Sequence, residues 1–347
     1  MMKRDAVSRD PGLLEAARRL HQDSLVIDLH QDTLLWSRLL GYAAQREHRP
    51  LCSRLLGVAP PLFGQSDLPR LRRGGIAGVG LGVVTNPFLR GPARRSAVRS
   101  LALLRQLACS CPEQLLVARR AADIDAARRS GKVAAFAVLE GVHCLDPADP
   151  DALLHLVELG LAGVGLVHFT ANAAGTSSSS RSSRRNEPLS RWGRELVERC
   201  NRLGLLLDLA HLDGAGTIEA ARLSRQPVVV SHTGVQGVHP SWRNVDDASL
   251  RAVADGGGCI GIIFYPGYLG SGWRGGLERV VAHAAHVVRV VGEDAVAIGT
   301  DIDGFLLTLP RGIRGSADMP LLTAALLAAG WPERRVRKLL GENARRV

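Results

Sequence analysis

Lysine is nearly missing from this chain: it occurs only at Lys3, Lys132 and Lys338, so almost all of the 44 basic residues are arginine. Aromatic residues are scarce as well, at 4%. The net charge of +11 would suit nucleic acid or an acidic substrate. Yet the arginines are scattered, few rings are available for base stacking and no nucleic-acid motif appears, so no nucleic-acid partner is expected. No Cys-x-x-Cys links any of Cys52, Cys109, Cys111, Cys144, Cys200 and Cys259, and Met1–Asp10 contains no apolar leader segment. Reduced thiols are therefore expected rather than a disulfide framework. No apolar run approaches the roughly 20 residues of a membrane-spanning helix. These absences lead to the expectation of a soluble, cytoplasmic protein with no membrane partner.

What is present is a chain of 347 residues, 46% hydrophobic, long enough to bury a large core. Eight short runs rich in β-branched residues or leucine recur along it: Ser24–His30, Ile76–Val84, Val133–Leu139, Gly163–His168, Gly204–Leu209, Val228–Ser231, Cys259–Phe264 and Val296–Thr300. Helical spacing fills the stretches between them, as in Arg191–Leu203 and Leu277–Val291. Runs that are apolar on both faces fit parallel strands covered by helices, and eight such units predict a single (β/α)8 barrel of the TIM type over residues 1–347. An open doubly wound sheet is the rival, but no Gly-x-Gly-x-x-Gly follows the first strand. Two segments interrupt the alternation. One is a long connection at about 41–65 that could fold over the barrel mouth; the other is a Ser/Arg tract at 177–185. The tract reads as a solvated loop, with the sharper possibility that Arg181, Arg184 and Arg185 meet an anionic substrate group.

Chemistry in such a barrel sits at the carboxyl ends of the strands. Those ends are polar here: His30-Gln31-Asp32, Glu140, His168, Asp208 through His211, His232 and Asp301 through Asp303, with only the second and seventh strands lacking a His or an acid. Imidazole and carboxylate are ligands of zinc and its neighbours, and His-x-Asp places two of them on one face by the strand period of two. His30, Asp32, Glu140, His211 and His232 are the expected ligands, enough for two ions. A pair of ions usually needs a bridging oxygen. Carboxylated lysine is one such bridge, but the only lysine near a strand, Lys132, lies at the wrong end of the third, which leaves Glu140. Asp28 and Asp208 read instead as helix caps or turn formers.

These motifs identify a family. Ile27 through Asp32, Asp67 through Leu71, Leu139 through His143, Val167-His168 with Asn172, Asn201 through His211, Pro227 through His232, Arg243-Asn244, Ile298 through Gly304 and Gly341 through Val347 resemble, in order, the membrane dipeptidase family of renal dipeptidase-like zinc enzymes. The resemblance runs from about Leu25 to the last residue. It implies a metal-dependent hydrolase barrel in which His30 and Asp32 bind one zinc, His211 and His232 the other, and Glu140 bridges them, although cobalt or manganese would suit the same ligands. It further implies that His168 steadies the oxyanion, Arg243 binds the substrate's terminal carboxylate, and Asp301 moves protons. The expected reaction is hydrolysis of a small dipeptide by a hydroxide held between the metals, with a homodimer as the implied assembly. The family pattern departs at Gln31, where Asn is frequent, and at Val142, where a second Gly is usual. The alternatives are an amidase trimming a peptide-like biosynthetic intermediate and a metal-binding homologue without catalysis, though storage alone would require neither Asp301, His168 nor Arg243.

Overall fold

The structure is a computed structural model, and it describes residues 11–47, 64–85, 92–179, 186–270, 272, 275–304 and 308–347. Most of the expected connection at 41–65, the arginines of the 177–185 tract, Lys3 and Cys52 lie outside the described residues. Among the described residues there are nine strands: β1 Ile27–Gln31, β2 Gly78–Val84, β3 Leu115–Val117, β4 Val133–Glu140, β5 Leu161–Gly165, β6 Leu206–Asp208, β7 Val229–Thr233, β8 Cys259–Ile262 and β9 Val296–Ile298. All pair in parallel, and β2 bonds to both β1 and β4, so eight of them close a ring through β9 back to β1. This is the (β/α)8 barrel expected from the alternating pattern. The ninth, β3, was not expected: it pairs with Val133–Ala135 along the edge of β4 that β5 occupies further on. Among the described residues, no helix is long and apolar enough to cross a membrane.

Alternation along the strands explains where the site can form. Phe136 and Val138 of β4 join Ile27, Leu29, Val229, Cys259 and Ala297 in one buried apolar cluster. Glu140 is two residues beyond Val138, so the period of two brings it to the same face with no distortion. His30 and His232 follow Leu29 and come one turn of the pleat out of phase with Val229, and plain alternation would aim them away from that face. The ladder register breaks at both places, between Asp28 and Gln31 in β1 and between Val230 and Thr233 in β7. Irregularities of this kind re-aim a side chain. Here they turn His30 and His232 back toward Glu140, with the apolar plug beneath them.

Candidate metal centre

Seven of the eight residues singled out from the sequence converge at the carboxyl ends of the strands. Three interlocking groups, His30–Glu140–His232, Glu140–His168–His211 and His30–Asp32–Asp301, each offer ligand atoms within 4.8 Å of one another, and all are buried. Glu140 Oε1 is central: it lies 3.2 Å from His211 Nε2, 3.4 Å from His168 Nε2, 3.5 Å from His30 Nε2 and 3.8 Å from His232 Nε2. Asp32 stands at the N-cap position of helix Thr33–Leu40, yet its side chain makes no cap bond and faces His30 Nε2 at 3.5 Å. Arg243, the eighth residue, approaches from the segment after β7 and donates through Nη2 to the His232 carbonyl at 2.8 Å.

The donor set fits a metal better than it fits a hydrogen-bond network. Buried polar groups are normally paired. His30 Nδ1 and Nε2, Asp32 Oδ1, Glu140 Oε2 and His211 Nδ1 are buried without a hydrogen-bond partner. His211 Nε2 and His232 Nε2 stand 3.0 Å apart, where two imidazole lone pairs need a cation or a shared proton between them. Gly82 of β2 supplies the room: a Cβ there would come within 2.2 Å of Asp32 Oδ1 and 3.1 Å of His30 Cε1. Backbone strain marks the same place, since His211 (φ 67°) and Asp301 (φ 58°) both hold the left-handed conformation that side chains other than glycine rarely adopt.

Outer residues fix the orientation of the inner ones, and sequence reasoning assigned two of them incompletely. Asp208 does form a turn, accepting from Ala210 N at 3.0 Å, but it also accepts from Ser231 N at 2.9 Å and Ser231 Oγ at 2.5 Å. Ser231 Oγ lies 2.8 Å from His232 Nδ1. A hydroxyl that gives its one proton to a carboxylate must accept from the imidazole, so His232 carries its proton on Nδ1 and presents Nε2 as a lone pair. Asp28 caps no helix but likewise forms a turn, accepting from His30 N at 3.3 Å. It accepts from Thr300 N at 2.9 Å and Thr300 Oγ1 at 2.6 Å, and from Gln31 Nε2 at 2.7 Å, thereby pinning the segment that carries Asp301 against β1. Asp303 accepts from Gln65 N at 2.8 Å, Ser66 N at 3.2 Å and Thr33 Oγ1 at 3.3 Å, tying the end of the long connection to the mouth. These are cross-strand partners, which no local spacing reveals.

Electrostatics follow from burial among carboxylates. Burial holds His168, His211 and His232 well below the ordinary imidazole range. At His30 burial pulls the same way, but Glu140, Asp32 and Asp301 outweigh it and push the imidazole up to about 10. Burial, reinforced by Asp32, raises the Glu140 carboxyl well above its usual value. Burial likewise pushes Asp301 up to about 8 against the opposing pull of His30 and Arg243. Several acids crowded without matching positive charge are what a bound cation relieves.

A parallel barrel with a buried histidine–carboxylate cluster at its carboxyl end has the architecture of a metal-dependent enzyme, a class that includes the metal-dependent hydrolases. The family model for membrane dipeptidase (Peptidase family M19) matches residues 14–347; the chain belongs to this family and is a metallo-dipeptidase. Among solved structures it is similar to the dipeptidase AC of family M19, at 31% identity over 93% of this chain and 97% of that one, with a TM-score of 0.79. It is also similar to a metallo peptidase from Rhodobacter sphaeroides liganded with a phosphinate mimic of the dipeptide L-Ala-D-Ala, at 30% identity over 93% and 98%, with a TM-score of 0.79. The probable dipeptidase PvdM from Pseudomonas aeruginosa shares the fold at 21% identity over 97% and 98%, with a TM-score of 0.84.

Proposed function

We propose that this metallo-dipeptidase is a binuclear zinc enzyme that hydrolyses small dipeptides. His30 and Asp32 would hold one ion and His211 and His232 the other, with Glu140 available to both. The observation that carries this reading is the position of Glu140: one oxygen faces four imidazole Nε2 atoms at 3.2 to 3.8 Å while the other is buried without a hydrogen-bond partner. The dipeptide class is supported by the phosphinate mimic bound to the Rhodobacter sphaeroides relative.

Bound there, a pair of zinc ions supplies Lewis acidity, which makes a water nucleophile available near neutral pH and polarises the scissile carbonyl. The remaining tasks fall to the chain. Arg243, buried and anchored on the His232 carbonyl, offers a planar fork that matches the substrate's terminal carboxylate, which favours dipeptides over longer chains. Asp301 takes up the nucleophile's proton and returns it to the leaving amine. His168, held neutral by burial, donates toward the oxygen on which charge develops.

Metal analysis of the purified protein, paired with a dipeptide panel containing L,L and L,D isomers, tests the reading. Two zinc equivalents per chain are expected, with turnover that is lost on chelation and restored by zinc. A protein that carries two ions and cleaves no dipeptide would overturn the assigned substrate, and one that binds a single ion at saturation would overturn the binuclear centre.

A further inference from the structure

The metal cluster does not account for all the buried polar atoms that lack partners. Ser178 Oγ, Asp213 Oδ2, Asn244 Oδ1 and Ser249 Oγ are also buried without a hydrogen-bond partner, and their residues line one cavity of about 320 Å3. His211 and Arg243 line it too, so it adjoins the metal centre. Its floor is built by two helix starts. Asp213 caps helix Gly214–Leu223, its Oδ1 accepting from Gly216 N at 2.8 Å, and Asp246 caps helix Asp247–Asp255, its Oδ1 accepting from Ser249 N at 2.8 Å. Each aspartate therefore keeps a second oxygen outside the cap. Gly214 holds the corner open: a Cβ there would lie 3.3 Å from Asn186 Oδ1, 3.5 Å from Asp246 Oδ2 and 3.9 Å from Ser249 Oγ.

The groups left over are of one kind. The N–H of Ala215 is taken by Asn186 Oδ1 and that of Gly216 by Asp213, so the helix start offers little to an anion. What remains is the Asp246 carboxylate, the Asp213 carboxylate, which also accepts from Glu187 N, and two hydroxyls. Among the described lining residues Arg243 is the one guanidinium, and it faces the neighbouring centre. Trp242, 49% exposed, forms an apolar wall beside them. A ligand group that satisfies this set is a cation with several N–H donors, carried on a methylene stem that can lie along an indole.

We propose that this cavity receives the side chain of the substrate's C-terminal residue and selects a long basic one, of the lysine or arginine class. The inference rests on the dipeptidase reading above, in which Arg243 holds the terminal carboxylate and so brings that residue's side chain to the cavity entrance. The stem packs on Trp242, and the head group donates to Asp213, Asp246 and Ser249.

The test compares L-Ala-Xaa dipeptides in which Xaa is lysine, its uncharged isostere norleucine, or alanine, each as the L and the D isomer. For the zinc-loaded protein, kcat/KM for lysine is expected to exceed that for norleucine roughly tenfold in at least one stereochemical series, the scale of a charge-assisted hydrogen bond. Asp246→Asn and Asp213→Asn keep a good N-cap, and in each the lysine-to-norleucine ratio is expected to fall toward one. Equal turnover of lysine and norleucine by the unaltered protein would overturn the inference and leave the dipeptidase reading standing. A ratio that survives both substitutions would remove the cavity from the explanation. Failure to cleave any of the peptides with two ions bound would instead strike the dipeptidase reading, and the inference with it. A lysine-to-norleucine ratio near one in the unaltered protein overturns the inference even if a variant does not fold.

Discussion

Buried histidines occur in two settings in this molecule, and the contrast between them separates structure from chemistry. His21 and His283 lie among helices on the barrel's flank, and both ring nitrogens of each are engaged. His21 meets Thr323 Oγ1 at 2.8 Å and the Gly74 carbonyl at 2.7 Å; His283 accepts from Val235 N at 2.9 Å and lies 3.3 Å from the Leu269 carbonyl. At the strand ends, His30 has neither nitrogen hydrogen-bonded, and His211 and His232 aim Nε2 atoms at each other and at Glu140. A satisfied imidazole ties elements together, whereas an unsatisfied cluster at the same burial is held in place by the barrel for something it must bind.

Removing the shared acceptor strikes this contrast hardest. Glu140→Gln keeps the shape and loses the charge, so kcat on the best dipeptide is expected to fall at least about a thousandfold, with bound zinc dropping below two equivalents and far-UV circular dichroism unchanged. A variant that retained both ions and turned over within tenfold of the parent would mean that the unpaired atoms do not mark a metal bridge. The two settings would then no longer differ in the way claimed.

The flank histidines make the opposite prediction, one of stability rather than turnover. Burial pushes His283 down to about 4 from an ordinary value of 6.5, so the folded state refuses a proton that the unfolded chain accepts. Above pH 6.5 neither state binds that proton and His283 adds no pH dependence. As pH falls from 6.5 toward 4 stability is lost, by about 3 kcal/mol in all, and below that range the contribution is flat. His21 is lowered by burial as well and adds to the same trend. Urea unfolding of metal-free protein at pH 4.5 and 7 measures the slope. His283→Asn, whose side-chain oxygen can accept from Val235 N, is expected to lessen the slope by the share of one proton, since His21 and the unligated His168, His211 and His232 add to it too, and an unchanged slope would show that the proton is taken up elsewhere.

Much of this was readable from the sequence because it is local. The eight barrel strands announce themselves as apolar runs, and His30, Glu140, His211 and His232 stand where those runs end. Helices Arg191–Leu203 and Leu277–Val291 match their expected bounds to the residue, since their amphipathic spacing is uninterrupted. Helix Gly214–Leu223 begins three residues before its apolar spacing does, because Gly214-Ala215-Gly216 carries little helical signal and is held by the caps from Asp213 and Asn186. β3 has three residues, too few for a period to show. The Asp208–Ser231–His232 relay and the link from Asp28 to Thr300 join distant segments, and the register breaks that re-aim His30 and His232 belong to the ladder rather than to either strand alone. The exposed rings of Phe169 and Trp242 at the mouth had no sequence signal at all, being single aromatics in loops.

The smallest expected effect tests the bridge from its other side. Lys132 immediately precedes β4, whereas Glu140 ends it, so seven residues of fully buried strand separate the lysine from the cluster. An extended chain rises about 3.3 Å per residue, which sets Lys132 more than 20 Å from Glu140 along the barrel wall, well beyond the reach of a lysine side chain. A carboxylated Lys132 therefore cannot bridge the proposed pair of ions, and Lys132→Ala is expected to leave zinc content at two equivalents and kcat/KM within twofold of the parent. Loss of one zinc equivalent in this variant would move the bridge away from Glu140 and would make the crowding of four imidazoles around its carboxylate a matter of packing rather than of ligation.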